Sequence, residues 1–311
     1  MNEQHGQPVF GGRNFNPEAW AEKKQEEREK VYDMIEQMIA ETTSDPEAFM
    51  GYLDTQARLD RYSVANTLLI LKQYPTATQL KEKRQWTEER AYVRQNERAI
   101  KILEPAEYIR RDGEVGTAYN VKWVYDISQT SIRERTEPEQ NDLKQMTMAM
   151  VNSSPVPVLM NNERTTPEQK AVYDHDMKKL FVRQGMANGT ELFQWLAGEM
   201  AFAQLAMEKK TYDREECRFE AGCIAYLLCR KNGVDAGKYA VSALPNAWKG
   251  METKELRAEM TRIKTAFGEV QGRMTDELYR MRREQERSQE RERRQQERME
   301  KQGERGREDG R

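Results

Sequence analysis

The side chains best suited to chemistry gather between Arg61 and Tyr125. Tyr62, Tyr74, Trp86, Tyr92, Tyr108, Tyr119, Trp123 and Tyr125 alternate there with Lys81, Lys83, Arg84, Arg90, Arg94, Arg98, Lys101 and Lys122. The window 61–125 holds twelve Lys and Arg against eight Asp and Glu, a local +4 in a chain whose formal net charge is −2. Flat rings stack on bases without reading sequence, and cations follow phosphates, so this mixture suits a single-stranded nucleic acid. The rings have a structural alternative, because aromatics dominate small cores, and Trp86 and Tyr62 fit a core at least as well. Asn66 sits in an apolar run, where an amide more often bonds backbone than base.

Other reactive groups are sparse. Cys217, Cys223 and Cys229 recur every six residues. On a helix that is about 600°, so they point to different faces and make a poor metal site. Buried free thiols are the expectation. Of the two histidines, His5 lies in a polar N-terminus and His175 in Tyr173-Asp174-His175-Asp176, which reads as a surface turn. No Walker loop, dinucleotide fingerprint or Gly-x-Ser-x-Gly elbow is present.

These residues need elements to hold them. A length of 311 residues suits two domains. Apolar residues make up 37% and charged residues 33%, with much of the charge in the last fifty positions. Trp20, Val31, Met34, Ile35, Met38 and Ile39 recur at helical steps. Ser44-Asp45-Pro46 caps a second helix, a third spans 63–73, and a short one is expected at 78–84. The period then changes, and 91–93, 99–103 and 119–125 read as strands with a turn at Asp112-Gly113. Residues 131–143 read as a linker. Beyond it come a helix, strands at 156–160 and 179–183, helices at 189–207 and 213–232 with Gly233 as terminator, and a helix from Thr253. Residues 280–311 carry twelve basic and nine acidic side chains with almost no apolar ones, as a solvated helix or disordered tail does. No run of about 18 apolar residues is present, so no membrane span is expected. The N-terminus lacks a secretory pattern, and the expected location is cytoplasmic.

The stretch Tyr62-Ser63-Val64-Ala65-Asn66, Leu69-Ile70, Gln73, Pro75, Ala77-Thr78, Trp86, Val93, Ala99-Ile100-Lys101-Ile102-Leu103, Pro105, closing on Val124-Tyr125-Asp126-Ile127-Ser128-Gln129-Thr130, resembles the N-terminal single-stranded-DNA-binding domain of ArdC-type antirestriction proteins of conjugative elements. The match covers roughly 17–130. The family's Gly-Arg before the first strand and its Lys-Gly-Glu turn are replaced here by Glu89-Arg90 and Asn96-Glu97. Asn tolerates positive φ, and Arg94 and Arg98 partly replace the lost Lys. The resemblance implies DNA contacts from Tyr62, Asn66, Gln73, Trp86, Arg90, Tyr92, Arg94, Arg98 and Lys101, as a group.

Residues 155–245 resemble the family's C-terminal half, a zincin-like metallopeptidase fold. There a His-Glu-x-x-His helix and an acidic residue on the next helix hold zinc. The matching positions are Gly198-Glu199-Met200-Ala201-Phe202 and Glu220. Gly198 and Phe202 offer no donor, so Glu199 keeps the place of a general base without a metal-bound water. The resemblance therefore implies a degenerate site with no catalytic residue, no metal and no cofactor.

The resulting expectation is an α+β protein: a disordered stretch at 1–16, a helical and antiparallel-sheet DNA-binding domain at 17–130, a linker at 131–143, a mostly helical, degenerate zincin-like domain at 144–250 and a charged helical tail at 251–311. Its function would be non-catalytic binding of single-stranded DNA in a mobile element, with antirestriction and conjugation as the setting. The alternatives are a zinc metallopeptidase with unusual ligands, or an adaptor that docks a protein through the degenerate domain or C-terminal helix.

Overall fold

The computed structural model describes residues 16–109, 114–132, 142–185 and 188–308. Residues 1–15 of the expected disordered N-terminus, the Asp112-Gly113 turn and residues 133–141 of the expected linker lie outside them. The fold class is α+β. The chain divides into two compact units, Met1–Glu41 with Ala65–Arg133 and Thr42–Val64 with Glu134–Arg311. Residues 42–64, placed by sequence in the first domain, thus belong to the second unit.

In chain order the first elements are α1 (Pro17–Ser44), α2 (Pro46–Arg58), α3 (Val64–Gln73), β1 (Leu80–Lys81), α4 (Lys83–Glu88), β2 (Ile100–Ile109) and β3 (Val115–Asp126). The strands form one antiparallel sheet in the order β1-β3-β2. β2 and β3 pair from Ile100↔Val124 to Ile109↔Val115. Alternation puts Ile100, Ile102 and Val124 on a buried face, and Lys101, Tyr119 and Trp123 on the opposite one. Asp126 ends β3 as a buried carboxylate. It accepts the backbone N–H of Thr78 at 2.6 Å, Gln79 at 2.9 Å and Ser128 at 3.0 Å, and the Ser128 hydroxyl at 2.6 Å. Burial works to raise its pKa, but these bonds outweigh it and hold the carboxyl below the usual range.

The helix expected at 78–84 is instead β1 followed by α4. Glu82 and Gln85 form a reciprocal cap that starts the helix late, which frees Leu80 and Lys81 to pair with Asp126 and Tyr125. The strand expected at 91–93 reduces to the single bridge Val93↔Thr130. Arg90 just before it takes a left-handed φ of 60°, which breaks extended geometry. Asn96, in the turn where a residue tolerant of positive φ was expected, has φ 67°.

The second unit contains α2, α5 (Leu143–Asn152), β4 (Val158–Met160), β5 (Ala171–Asp174), β6 (Lys179–Val182), α6 (Gly189–Glu208), α7 (Arg218–Lys231) and α8 (Thr253–Glu308). Asp45 caps α2 by accepting the Ala48 N–H at 2.8 Å, with Pro46 in the first turn. α2 buries Phe49, Tyr52 and Leu53. Phe49 meets the rings of Phe219 on α7 and Trp248 at centroid distances of 5.8 and 5.4 Å, so apolar packing ties α2 to this unit. The sheet order is β4-β6-β5, with β4 parallel and β5 antiparallel to β6. β5 was not anticipated; the reading of 173–176 as a turn gives way to a strand through Asp174 and a turn closed by Lys178 N–H to the His175 carbonyl. α8 buries Leu256, Met260, Ile263, Phe267, Val270 and Met274, a helical stripe. It then continues to Glu308 as helix, not as a disordered tail.

Candidate functional site

Each residue expected to contact DNA has a definite place. Asn66 and Gln73 are occupied by the fold. Asn66 Nδ2 donates to the Leu103 carbonyl and its Oδ1 accepts the Leu103 N–H, both at 2.8 Å. Gln73 repeats this on Lys101, with both bonds at 2.9 Å. Two amides of α3 therefore satisfy the open edge of β2 as a neighbouring strand would. Trp86 is a correction, because it is 1% exposed and its indole N–H donates to the Tyr125 carbonyl at 2.8 Å. It is a core ring and cannot stack on a base from there. Tyr62 lies in the second unit and is half-buried.

The remaining candidates are at the surface. Arg90, Tyr92 and Arg98 are exposed, Tyr92 by 59%. Arg94 is exposed but committed: Nη2 donates to Glu97 at 2.8 Å and to the Ser128 carbonyl at 2.6 Å. Lys101 Nζ lies 3.1 Å from Glu27 of α1. Two rings outside the expected set share the outward face with Lys101: Trp123, 53% exposed, and Tyr119, 42% exposed. The signal for them was strand alternation, since 119 and 123 differ by an even number from each other and Trp123 pairs with Lys101.

In the second unit α6 carries Gly198, Glu199 and Phe202, and α7 carries Glu220. A side chain at Gly198 would run into the Tyr239 hydroxyl. That hydroxyl donates to the Gln194 carbonyl at 2.6 Å, and burial pushes its pKa far up. Glu199 is buried and doubly bonded: Oε1 accepts Arg214 Nη2 at 2.6 Å and Oε2 accepts the Tyr173 N–H of β5 at 2.7 Å. The same guanidinium lies over Phe202, 3.8 Å from its ring centroid. Burial disfavours charge on Arg214, but Glu199 outweighs it and raises the pKa. Glu220 faces a second cation, Lys209 Nζ, at 3.0 Å. Tyr212 beside Arg214 stacks on His175 at 4.6 Å, and burial pushes its phenol up to about 12.

These residues do not fit a zinc ion. One ligand place is filled by a tyrosine, another by a ring under a guanidinium, and both carboxylates are neutralised by protein cations. Among the described residues no three His, Cys, Asp or Glu side chains are grouped to hold a metal. Cys217, Cys223 and Cys229 are buried free thiols, and burial pushes Cys229 up to about 12.

No family model matches the chain, and no curated protein matches it. The structure is similar to the metal-free crystal structure of the antirestriction ArdC protein from the R388 plasmid. The TM-score is 0.51 at 14% identity, covering 80% of this chain and 98% of that one. A Mn(II)-bound structure of that protein aligns with a TM-score of 0.46 at 12% identity over 70% of this chain and 85% of that one. The fold is ArdC-like. Among the described residues no helix is long and apolar enough to cross a membrane.

Proposed function

We propose that the protein binds single-stranded DNA through the first unit, and that its peptidase-like unit is a non-catalytic scaffold. The observation that carries this reading is the outward face of the β2–β3 hairpin. It leaves Trp123, opposite Lys101, and Tyr119, opposite Pro105 on the same face, half-exposed, while Trp86 and the aliphatic side chains fill the core. Exposed rings among cations are what base stacking with backbone neutralisation requires. The fold likeness supports the same setting, antirestriction on a conjugative element, and a cytoplasmic location goes with it.

The test is a titration of the full chain with fluorescent single-stranded and duplex oligonucleotides at two salt concentrations. The expected result is preference for the single strand and an affinity that falls with salt. Equal affinity for both forms, or no binding at low salt, would overturn it. A metallopeptidase reading faces Arg214 and Tyr239 where metal and ligand would be. The adaptor reading draws on the edge strand β4, where Leu159 and Met160 are exposed. Capture of a partner that requires residues 155–250 and persists without DNA would favour it.

A further inference from the structure

Trp123 and Lys101 do not face solvent alone. The carboxylate of Glu27 on α1 reaches both: Oε1 accepts the Trp123 indole N–H at 3.1 Å and lies 3.1 Å from Lys101 Nζ. Lys24, one turn earlier on α1, completes the group. Its Nζ is 3.4 Å from Glu27 Oε2 and 5.8 Å from the Trp123 ring centroid. Glu27 is only 14% exposed at its side chain, while the ring it anchors stays open.

One anion is thus held by two ammonium groups and an indole N–H, with a half-exposed aromatic ring beside it. A phosphodiester oxygen placed there would find the same three donors, and the base attached to it would find the ring. A carboxylate in that position satisfies the donors in the absence of DNA and must be displaced, or share its cations, when a strand binds. Trp20, Lys24 and Glu27 fall at i, i+4 and i+7, so an exposed second ring lies on the same stripe of α1.

We infer that Glu27 is an internal phosphate mimic, and that the cradle formed by Lys24, Lys101 and Trp123 is the site where a single strand enters the first unit. This rests on the DNA-binding reading above and adds to it an entry site and a competitor built into α1. A strut that merely fastens α1 to the sheet would show the same distances, so the two are separated by binding.

The experiment compares the full-length wild type with Glu27→Gln on a 20-nucleotide oligo-dT and its duplex with oligo-dA, at 50 and 200 mM salt. Gln keeps an oxygen for the Trp123 N–H and removes the charge. The expected result is single-strand binding about fivefold or more tighter at low salt, the size of one unscreened charge contact in water. The salt slope should steepen by roughly 0.7, one further phosphate neutralised. Trp123→Ala should weaken binding on the order of tenfold, since one stacked base is lost. If the wild type binds and a folded Glu27→Gln shows no gain, Glu27 is a strut and the inference fails while the DNA-binding reading stands. If neither protein binds at low salt, both fail. If Glu27→Gln does not fold, Trp123→Ala decides, and unchanged affinity overturns the inference.

Discussion

Glu199 shows how one carboxylate can be kept and its task removed. Its oxygens are committed to Arg214 and to the Tyr173 N–H, so it holds α6 to β5. Arg214→Met would leave a buried anion without its cation. The expected loss is about 2–3 kcal/mol, reduced from the fully buried case because Arg214 is one-third exposed, and a thermal melt measures it. The double variant Gly198→His, Phe202→His restores the spacing of a zinc helix, yet should gain no stoichiometric zinc by elemental analysis, because Tyr239 and Arg214 stand in the way. Asp126 gives a pH signature. Its folded pKa is lowered, so its contribution is full above the usual carboxylate range and is lost as pH falls through the lowered value. Asp126→Asn should destabilise at pH 7 by on the order of 2–3 kcal/mol and flatten the acid side of a stability-against-pH curve. Gly198, Glu199, Phe202 and Glu220 could be located by resemblance to a known spacing. Tyr239, Arg214 and Lys209 could not, because their partners are distant in sequence and no period links them.

At the scale of elements, long periodic segments were readable and short ones only in part: β4 and β6 fall within the expected strands at 156–160 and 179–183, while β1 and β5 were missed. The start of α2 at Asp45-Pro46 and the end of α7 before Gly233, with φ 70°, follow from local backbone preferences. β1 has two residues, too few for alternation to register, and β5 runs into the polar Asp174-His175-Asp176, which reads as a turn. Asn66 was recognisable as a polar group with a backbone to bond, but that the backbone is Leu103 of β2 depends on tertiary placement. Asn66→Ala should therefore cost about 1–3 kcal/mol, the penalty for two stranded backbone groups, and leave oligonucleotide affinity unchanged below the melt. A DNA-contacting Asn66 would give the reverse, a stable protein with weakened binding.

The whole molecule carries its charge unevenly. Its net −2 conceals a +4 window and a C-terminal stretch of mixed sign, so composition alone points to no polyanion. α8 runs 56 residues, about 84 Å of helix, and its last buried residue among those described is Glu277. Past Glu277 the helix is supported by turn-to-turn pairs such as Arg294 with Glu290 at 2.5 Å. Truncation after Arg283 should leave the melting temperature within about 2 °C, because no apolar burial among the described residues is removed; a larger drop would mean that the extension is packed.

The excursion of residues 42–64 out of the first unit has a consequence during synthesis. α2 presents Phe49 to rings on and beyond α7, whose last residue, Lys231, is translated long after Arg58. At roughly 5–20 residues per second, that interval is on the order of ten to thirty seconds. Throughout it a nascent chain would carry Phe49 without those two rings to cover it, a natural client for a ribosome-associated chaperone. A fragment ending near residue 130 would lack those rings permanently.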